Sequence, residues 1–276
     1  MMQRIYNLAK MLVKINRLEI DKKLKSRIRE TYFKVFSLRR YDKKNRSALI
    51  VGFEMRFLDY GTLSYLYNEI FIDNQYFFTA ENENPYIIDC GSNVGMSIFY
   101  FKRLYPHSRI LAFEPGEEAF ACLKENIRNN KLLNTVQASR SALSNKEGTI
   151  EFFYDPDSLG SLIMSTKQER MPKKSRSVEA TVLSKHISEK VDFLKMDIEG
   201  GELEVIEELS CSGKLSYVKQ MIIEYHHHII KKSDEFSRML RILEDSGFGY
   251  QIESHLGRPV QREQFQDILV YAYRKQ

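Results

Sequence analysis

The segment Pro85 to Gly95, PYIIDCGSNVG, decides the fold that we predict. Its apolar run Tyr86-Ile87-Ile88 predicts a short buried strand that ends at the acid Asp89, and the segment Met96 to Tyr105 behind it predicts a helix. Between them, glycines permit positive φ angles and a close approach of the backbone. The first turn of the helix offers unpaired N–H groups. This succession of strand, turn and helix predicts a ligand site of the nucleotide-binding type.

The charge and the glycine spacing of this turn indicate which ligand it would hold. Asp89 places a negative charge at the carboxyl end of the strand, where it would repel a pyrophosphate and attract an ammonium group. Gly91 and Gly95 enclose Ser92 and Asn93 in the order Gly-x-x-x-Gly, whereas dinucleotide-binding turns have Gly-x-Gly-x-x-Gly. The turn therefore favours an amino-acid-like cofactor, S-adenosylmethionine, over a dinucleotide.

Two further turns supply candidate cofactor contacts. Arg109 to Phe113 predicts the next strand and is followed by Glu114 and Pro115, where an acid is placed to bind ribose hydroxyls. After a third strand, the small residues Ser141 and Ala142 are candidates to border an adenine ring. A nicotinamide-dependent oxidoreductase would also need Glu114, so that acid alone does not separate the two cofactors.

Candidate catalytic residues follow a later strand. Val191 to Met196 predicts a buried strand. Ligands of parallel sheets lie outside the carboxyl ends of the strands, which places Asp197 and Glu199 close to the transferred methyl group. Glu199 has an alternative role as a cap of the next helix. Lys195 lies in an otherwise apolar strand and needs a carboxylate partner if it is buried.

The next predicted strand, Tyr217 to Ile223, runs into Glu224 and a histidine triplet, His226-His227-His228. We predict that His226 reaches the pocket as the first candidate base, with Asp197 second and Glu199 orienting one of them. The base would take a proton from the methyl acceptor. We predict no metal, because neighbouring side chains on an extended chain point in opposite directions, although His226 and His228 would share a face.

Composition bounds the class of protein. The chain has 276 residues, of which 43% are apolar, and this is enough for a sizeable core. Three widely spaced cysteines indicate reduced thiols of an intracellular protein. No apolar run reaches the roughly 18 residues of a membrane span. We therefore expect a cytoplasmic protein, with peripheral contact at a membrane surface as one option.

The N-terminal segment carries most of the positive charge. Residues 1–46 hold fifteen Lys and Arg against four acids, and Ile5, Leu8, Leu12 and Ile15 recur at helical spacing. One interpretation is a helical pair packed on the main domain or on a second copy of the chain. The second is peripheral contact with anionic lipid. We do not expect the third, nucleic-acid binding, because the aromatic residues do not form a stacking platform.

We divide the chain into three parts. Residues 1–46 are predicted as a basic amphipathic helical extension, residues 47–84 as a connector that covers the cofactor pocket, and residues 85–276 as an S-adenosylmethionine-binding methyltransferase domain. Tyr65, Glu69 and Tyr76 of the connector are candidates to face the pocket. The long polar loop 155–177 is expected to fold over the substrate, with its basic run Lys173 to Arg176 meeting an acidic acceptor.

Four motifs in register give the chain a family resemblance. Through IIDCGSNVG, AFEP, LKMDIEGGE and IIEYH, it resembles the FkbM family of S-adenosylmethionine-dependent methyltransferases. The resemblance implies an α/β fold with a Rossmann-like, seven-stranded, mainly parallel sheet, and methyl transfer to a hydroxyl of a sugar, glycan or natural product. The implied cofactor contacts are Asp89, Gly91, Ser92, Asn93, Gly95, Glu114, Pro115, Ser141 and Ala142. The implied acceptor side holds Asp197, Glu199 and His226.

Two other functions remain as alternatives. One is the nicotinamide-dependent oxidoreductase, which lacks its glycine pattern here. The other is a non-catalytic scaffold that docks on a membrane through residues 1–46. Such a scaffold would be expected to have lost the cofactor acids, and the presence of both Asp89 and Glu114 argues against it.

Overall fold

The computed structural model describes residues 2–230, 234–254 and 261–275, with side chains from residue 9 onward. Ile5 and Leu8 of the predicted apolar stripe therefore lie outside the described side chains. The chain begins with helices, which are followed by a β-hairpin and a further helix. Their bounds are α1 (Met2–Arg17), α2 (Lys22–Thr31), a π-helical turn (Tyr32–Ser37), β1 (Ser47–Ile50), β2 (Phe53–Arg56), α3 (Tyr60–Tyr67) and a second π-helical turn (Asn68–Ile72).

The remainder of the chain alternates strands and helices around a central sheet. The bounds are β3 (Tyr86–Cys90), α4 (Met96–Leu104), β4 (Arg109–Phe113), α5 (Glu117–Asn129), β5 (Val136–Ser139), β6 (Ala142–Leu143), β7 (Gly148–Tyr154), β8 (Lys174–Thr181), β9 (Val191–Met196), α6 (Glu202–Cys211), β10 (Val218–His227), α7 (Phe236–Asp245), β11 (Phe248–Ser254) and β12 (Gln266–Arg274). Short 3-10 turns cover Leu183–His186 and Lys214–Tyr217.

The central sheet confirms the predicted fold class. Its seven strands lie in the order β11-β12-β10-β9-β3-β4-β5. Strands β10, β9, β3, β4 and β5 are parallel to one another, whereas β12 runs antiparallel to both β10 and β11. The chain is thus an α/β protein with a mainly parallel sheet, and its late hairpin supplies the antiparallel edge. A separate three-stranded sheet, β6-β8-β7, stands beside the main sheet.

The two faces of the sheet bury two apolar clusters. Successive side chains of a strand point to opposite faces, and accordingly Ile87 of β3 belongs to one cluster and Ile88 to the other. Helices α6 and α7 cover the second face, while α4, α5 and the segment before β3 cover the first. All six residues of β9 are buried. This burial on both faces explains why the central strands are nearly continuous apolar runs.

The N-terminal helices share the first cluster. Ile15 of α1, Leu24 and Ile28 of α2, and Val35 are each no more than 2% exposed and pack with the connector. Of the described helices, none is long and apolar enough to cross a membrane. The packing favours the first interpretation of residues 1–46, a helical pair on the main domain, although Leu12 and Val13 stay exposed.

One buried side chain joins the connector to the glycine-rich turn. Asn126 of α5 is 1% exposed. Its amide nitrogen donates to the carbonyl oxygens of Arg56 in β2 (2.9 Å) and of Val94 in the turn (2.8 Å). Its amide oxygen accepts from the backbone nitrogen of Arg56 at 2.7 Å. The hairpin β1-β2 and the turn are therefore held to the same residue of α5.

The basic end of the predicted substrate loop is a strand, which corrects the sequence prediction. Lys174 to Ser177 belong to β8 and pair with β7. Lys173 forms an ion pair with Asp155 across the loop, and Arg176 binds Glu118 at 2.9 Å and lies over the ring of Tyr154. Carboxylates of the chain already neutralise these two cations, so the structure does not support a role for them in binding an acidic acceptor.

Candidate active site

A large cavity opens at the carboxyl ends of the central strands, where parallel α/β sheets bind their ligands. Counting its open mouth, the cavity measures about 1480 Å³. Its wall combines residues of the glycine-rich turn, of the ends of β4, β9 and β10, of the connector, and of the loop between β7 and β8. Seven of the nine predicted cofactor residues lie in this wall: Gly91, Ser92, Asn93, Glu114, Pro115, Ser141 and Ala142.

The glycines of the turn are required by neighbouring protein atoms. Gly91 has φ +84°, and a Cβ there would lie 1.8 Å from the carbonyl oxygen of Asp197. Gly95 has φ +93°, and its Cβ would lie 2.8 Å from Cδ1 of Leu123. Because L-residues with side chains rarely adopt such angles, glycine fits both positions. At Gly91 the crowding comes from the end of β9, so the glycine lets two strand ends meet beside the cavity.

Glu114 has the arrangement expected of a ribose-binding acid. Glu114 is 6% exposed, and its carboxylate accepts hydrogen bonds from the backbone nitrogens of Asn93 at 2.9 Å and Gly116 at 2.7 Å. Burial raises the pKa of Glu114 to about 7, although these two hydrogen bonds act to lower it. Each carboxylate oxygen can accept more than one hydrogen bond. The ionised group can therefore still receive a ligand hydroxyl from the cavity.

Asp89 and Gly95, the other two predicted cofactor residues, do not line the cavity. Asp89 is fully buried, accepts a hydrogen bond from the hydroxyl of Ser97, and lies 3.5 Å from Nζ of Lys195. The sequence predicted that its charge would meet the ammonium group of the cofactor. In the structure that charge is already compensated inside the protein, because the buried lysine of the neighbouring strand lies beside it.

Lys195 confirms the prediction that this lysine needs a carboxylate partner. Its ammonium group lies between Asp89 and Asp197, which is 3.4 Å away, and donates to the carbonyl oxygen of Gly91 at 2.6 Å. Burial alone would lower the pKa of Lys195, but Asp197 and Asp89 outweigh burial and raise it. The cation thus holds the end of β9 against the glycine-rich turn.

The three predicted catalytic residues lie together, but they differ in access to the cavity. Asp197 and Glu199 line the wall, whereas the side chain of His226 is 1% exposed and stands behind them. His226 Nδ1 lies 2.9 Å from Glu202 and Nε2 lies 3.1 Å from Glu199. Burial would lower the pKa of His226, but Glu202 and Glu199 raise it well above its usual value.

Glu199 is not a helix cap. It has φ +59°, outside helical geometry, and its carboxylate lies 2.8 Å from Arg170 on the covering loop. Instead, the carboxylate of Glu202, at the start of α6, accepts hydrogen bonds from the backbone nitrogens of Ile198 and Gly200. Glu199 therefore links the loop over the cavity to His226.

The connector reaches the cavity through its predicted residues. Tyr65, Glu69 and Tyr76 all line the wall. Burial, together with the nearby carboxylates Asp197 and Asp267, raises the pKa of Glu69 to about 7, against the hydrogen bond with Tyr65. Glu69 thus lies near the carboxylates that follow β9 and begin β12.

The sequence prediction missed two carboxylates and a cation of the wall, Glu224, Asp267 and Arg170. Burial raises the pKa of Glu224 well above its usual value, and Asp197 adds to the effect. Within the described part of the chain, Glu224 has no hydrogen bond or ion pair through its carboxylate. A signal for Glu224 was present, because it comes directly after the predicted strand Tyr217 to Ile223, as Asp197 comes directly after β9. In the structure the pairing of β10 with β9 ends at Ile223 and Met196, so the two acids lie level with each other.

Comparison with known proteins identifies the family. The family model described as "Methyltransferase FkbM domain" matches residues 89–251, more than half of the chain. The chain belongs to the FkbM methyltransferase family. This confirms the family resemblance, and S-adenosylmethionine is its cofactor. The family favours methyl transfer over the oxidoreductase and the scaffold.

Three curated relatives in the FkbM comparison carry methyltransferase names. "Methyltransferase sdnD" of Sordaria araneosa is 30% identical over 215 residues, which is 67% of this chain and 81% of that protein. "Hexuronic acid methyltransferase AglP" of Haloferax volcanii is 29% identical over 52% of this chain and 57% of that protein. "31-O-demethyl-FK506 methyltransferase FkbM" of Streptomyces tacrolimicus is 29% identical over 35% of this chain and 37% of that protein.

Proposed function

We propose that this FkbM-family methyltransferase transfers a methyl group to a hydroxyl of a sugar, glycan or natural-product acceptor. The observation that carries the proposal is the shape of the cavity, in which a ribose-binding acid, Glu114, and a second, acid-lined region open onto one space. Two relatives, named for a hexuronic acid and for a 31-O-demethyl compound, support an oxygen-rich acceptor.

The cofactor would lie along the glycine-rich turn. The backbone at Gly91, Ser92 and Asn93 would border its methionine part, Glu114 with Pro115 its ribose, and Ser141 with Ala142 its adenine. When bound, S-adenosylmethionine supplies an electrophilic methyl group on a good leaving group. Asp89 and Gly95 do not line the cavity and would act indirectly. Asp89 would hold Lys195 in place, and Gly95 would allow the conformation of the turn.

The residue that takes the hydroxyl proton should face the acceptor. We propose Glu224 for this role and Asp197 as the second candidate, because both line the cavity. A carboxylate with a raised pKa is the stronger base. Burial and nearby carboxylates raise the pKa of Glu224 despite the charge of His226, whereas Asp197 lies 3.4 Å from Nζ of Lys195. His226 would then be a positioning residue that holds Glu199.

The test combines cofactor binding with acceptor trials. Calorimetry with S-adenosylhomocysteine should show binding to the purified chain. Transfer from methyl-labelled S-adenosylmethionine is then followed on hexoses, hexuronic acids and polyol natural products, with amine analogues as the control. Labelling of a hydroxyl compound is the expected result, and labelling of the amine analogue alone would contradict O-methyl transfer. Unchanged turnover in both Glu224→Gln and Asp197→Asn would refute the assignment of the base.

A cytoplasmic location with a surface contact through residues 1–46 is part of the proposal. The exposed pair Leu12 and Val13 lies on the basic helix α1, beside Lys10 and Lys14, and suits either anionic lipid or a second copy of the chain. Sedimentation with anionic vesicles and the mass in solution separate these partners. The double variant Leu12→Ser/Val13→Ser should lose whichever contact the native chain makes, and a native chain that is monomeric and unbound would exclude both.

A further inference from the structure

Two adjacent histidines at the end of β10 point in the same direction. The strand ends at His227, and His228 has φ +61°. That left-handed angle breaks the alternation of an extended chain, on which the expectation of divergent side chains rested. As a result the two imidazole rings stack with centroids 3.7 Å apart. A left-handed conformation is unfavourable for a residue with a side chain, so the surrounding structure has to impose it.

Both rings turn the same nitrogen toward one carboxylate. Nε2 of His228 lies 2.7 Å from Oδ1 of Asp234, and Nε2 of His227 lies 3.7 Å from the same oxygen. The three atoms thus lie within 4.8 Å of one another. Two imidazoles and a carboxylate, converging on one point from two segments of the chain, form the donor set of a transition-metal site.

The second nitrogen of His228 is held as in known metal sites. Nδ1 lies 3.1 Å from the carbonyl oxygen of Gln264. Because a carbonyl oxygen only accepts, Nδ1 carries a hydrogen and donates it. Metal-binding histidines are commonly oriented in this way, with one ring nitrogen on a backbone carbonyl and the other on the metal.

A simple ion pair between His228 and Asp234 would explain two of these three side chains. That ion pair does not explain the position of His227. The ring of His227 stacks on His228, which would carry a positive charge in such a pair, and its Nε2 points at an oxygen of Asp234 that His228 already binds. A shared ligand between the three atoms accounts for both features. Asp234 is 80% exposed, so its carboxylate can adjust to the 2.0–2.2 Å bonds that zinc makes with oxygen.

We propose that His227, His228 and Asp234 bind one divalent transition-metal ion of the zinc type. Two nitrogen ligands and one oxygen ligand suit such an ion, whereas magnesium and calcium prefer six or more oxygen ligands. The remaining position would hold water. As far as the described residues form the cavity wall, none of the three lines it. The ion would therefore tie the end of β10 to the segment before α7, at a distance from methyl transfer.

The test is a zinc titration of the full chain after treatment with a chelator. We expect one equivalent to bind with a Kd in the micromolar range or below, measured against a chromogenic chelator. His228→Gln and Asp234→Asn should each weaken binding by about tenfold or more. His107→Gln, which changes an exposed histidine far along the chain, is the matched control and should leave the Kd unchanged. Circular dichroism verifies that the variants remain folded.

Heating gives a second measurement that does not depend on the competitor. An ion that binds only the folded chain raises its Tm, so zinc should raise the Tm of the native chain and of His107→Gln but not of His228→Gln. Three results would overturn the proposal. These are a Kd no tighter than about 0.1 mM, equal binding in native and His228→Gln chains, and loss of the zinc equivalent in Asp197→Asn, which would place the ion in the cavity.

Discussion

The two halves of the cavity are built in different ways. The cofactor half comes from short contiguous turns at the ends of β3, β4 and β5, and its main acid is held by backbone nitrogens. The acceptor half is assembled from the connector, the covering loop, β9, β10 and β12, and its carboxylates raise the pKa of one another across long sequence separations. Local backbone geometry therefore fixes the first half, and tertiary packing fixes the second.

The largest expected effect breaks the cofactor half at its backbone. Gly91→Ala places a Cβ against the carbonyl oxygen of Asp197, an atom of a buried strand end that has no room to move. We expect a loss of about 4 kcal/mol or more in the free energy of unfolding, measured with urea. Gly213→Ala is the matched control, because Gly213 also has positive φ but has open space around it, and it should cost only about 1 kcal/mol. Equal losses would show that the close contact is unimportant.

The next effect separates the halves by function. Glu224→Gln keeps the shape of the side chain but removes the base, so kcat for methyl transfer should fall by about 10²- to 10⁴-fold. The Kd for S-adenosylhomocysteine, measured by calorimetry, should change little because Glu224 stands in the acceptor half. A variant that lost cofactor binding together with turnover would contradict this separation.

Glu114→Gln should have the opposite pattern. Loss of a charged hydrogen-bond acceptor is expected to raise the Kd for S-adenosylhomocysteine by about 10- to 100-fold at pH 8. The native affinity should also weaken as the pH falls below about 7, because protonation of Glu114, whose pKa is about 7, removes the charge that the hydroxyls meet. The control is Glu117→Gln, at an exposed position nearby, which should leave the Kd unchanged. A native Kd independent of pH would argue against a ribose contact.

The smallest effect concerns the connector. The pKa of Glu69 is raised to about 7 in the folded chain from an ordinary value of 4.5. The folded state therefore holds the proton more tightly than the unfolded state, and this contribution to stability is present below about pH 4.5 and is lost as the pH rises through about 7. Glu69→Gln should flatten the fall of Tm over that interval, by no more than about 3 °C. An identical pH dependence of Tm in both chains would contradict the shift.

The contrast between the halves also explains what the sequence could predict. The strand β9 was predicted with its exact bounds, because six consecutive residues are buried and form one continuous apolar run around Lys195. The cofactor turn was also predicted from contiguous residues, because its glycine spacing lies within a single short segment. Asp89 was placed in the wall by its position at a strand end, but its side chain turns toward the lysine of the adjacent strand. No local pattern encodes that pairing.

His226 illustrates the limit for the acceptor half. Its position near the carboxyl end of a strand was predicted, whereas its burial depends on Glu202 of α6 and Glu199 of the preceding turn, which enclose it from both sides. Only the packing of three segments shows that Glu224 faces the cavity while His226 stands behind its wall. The division into residues 1–46, 47–84 and 85–276, and the roles of the individual site residues, stay predictions.

The clamp made by Asn126 constrains how ligands enter and leave. Since one side chain binds both the hairpin β1-β2 and the turn at Val94, we expect these two segments to move together. Opening then falls to the loop between β7 and β8, whose Arg170 is bound to Glu199. If that loop lifts, Glu199 loses its contact with Arg170 and keeps only His226 as a partner among the described residues. Admission of an acceptor would thus also loosen the residue that holds His226 in place, so that the site is fully ordered only when the loop is closed.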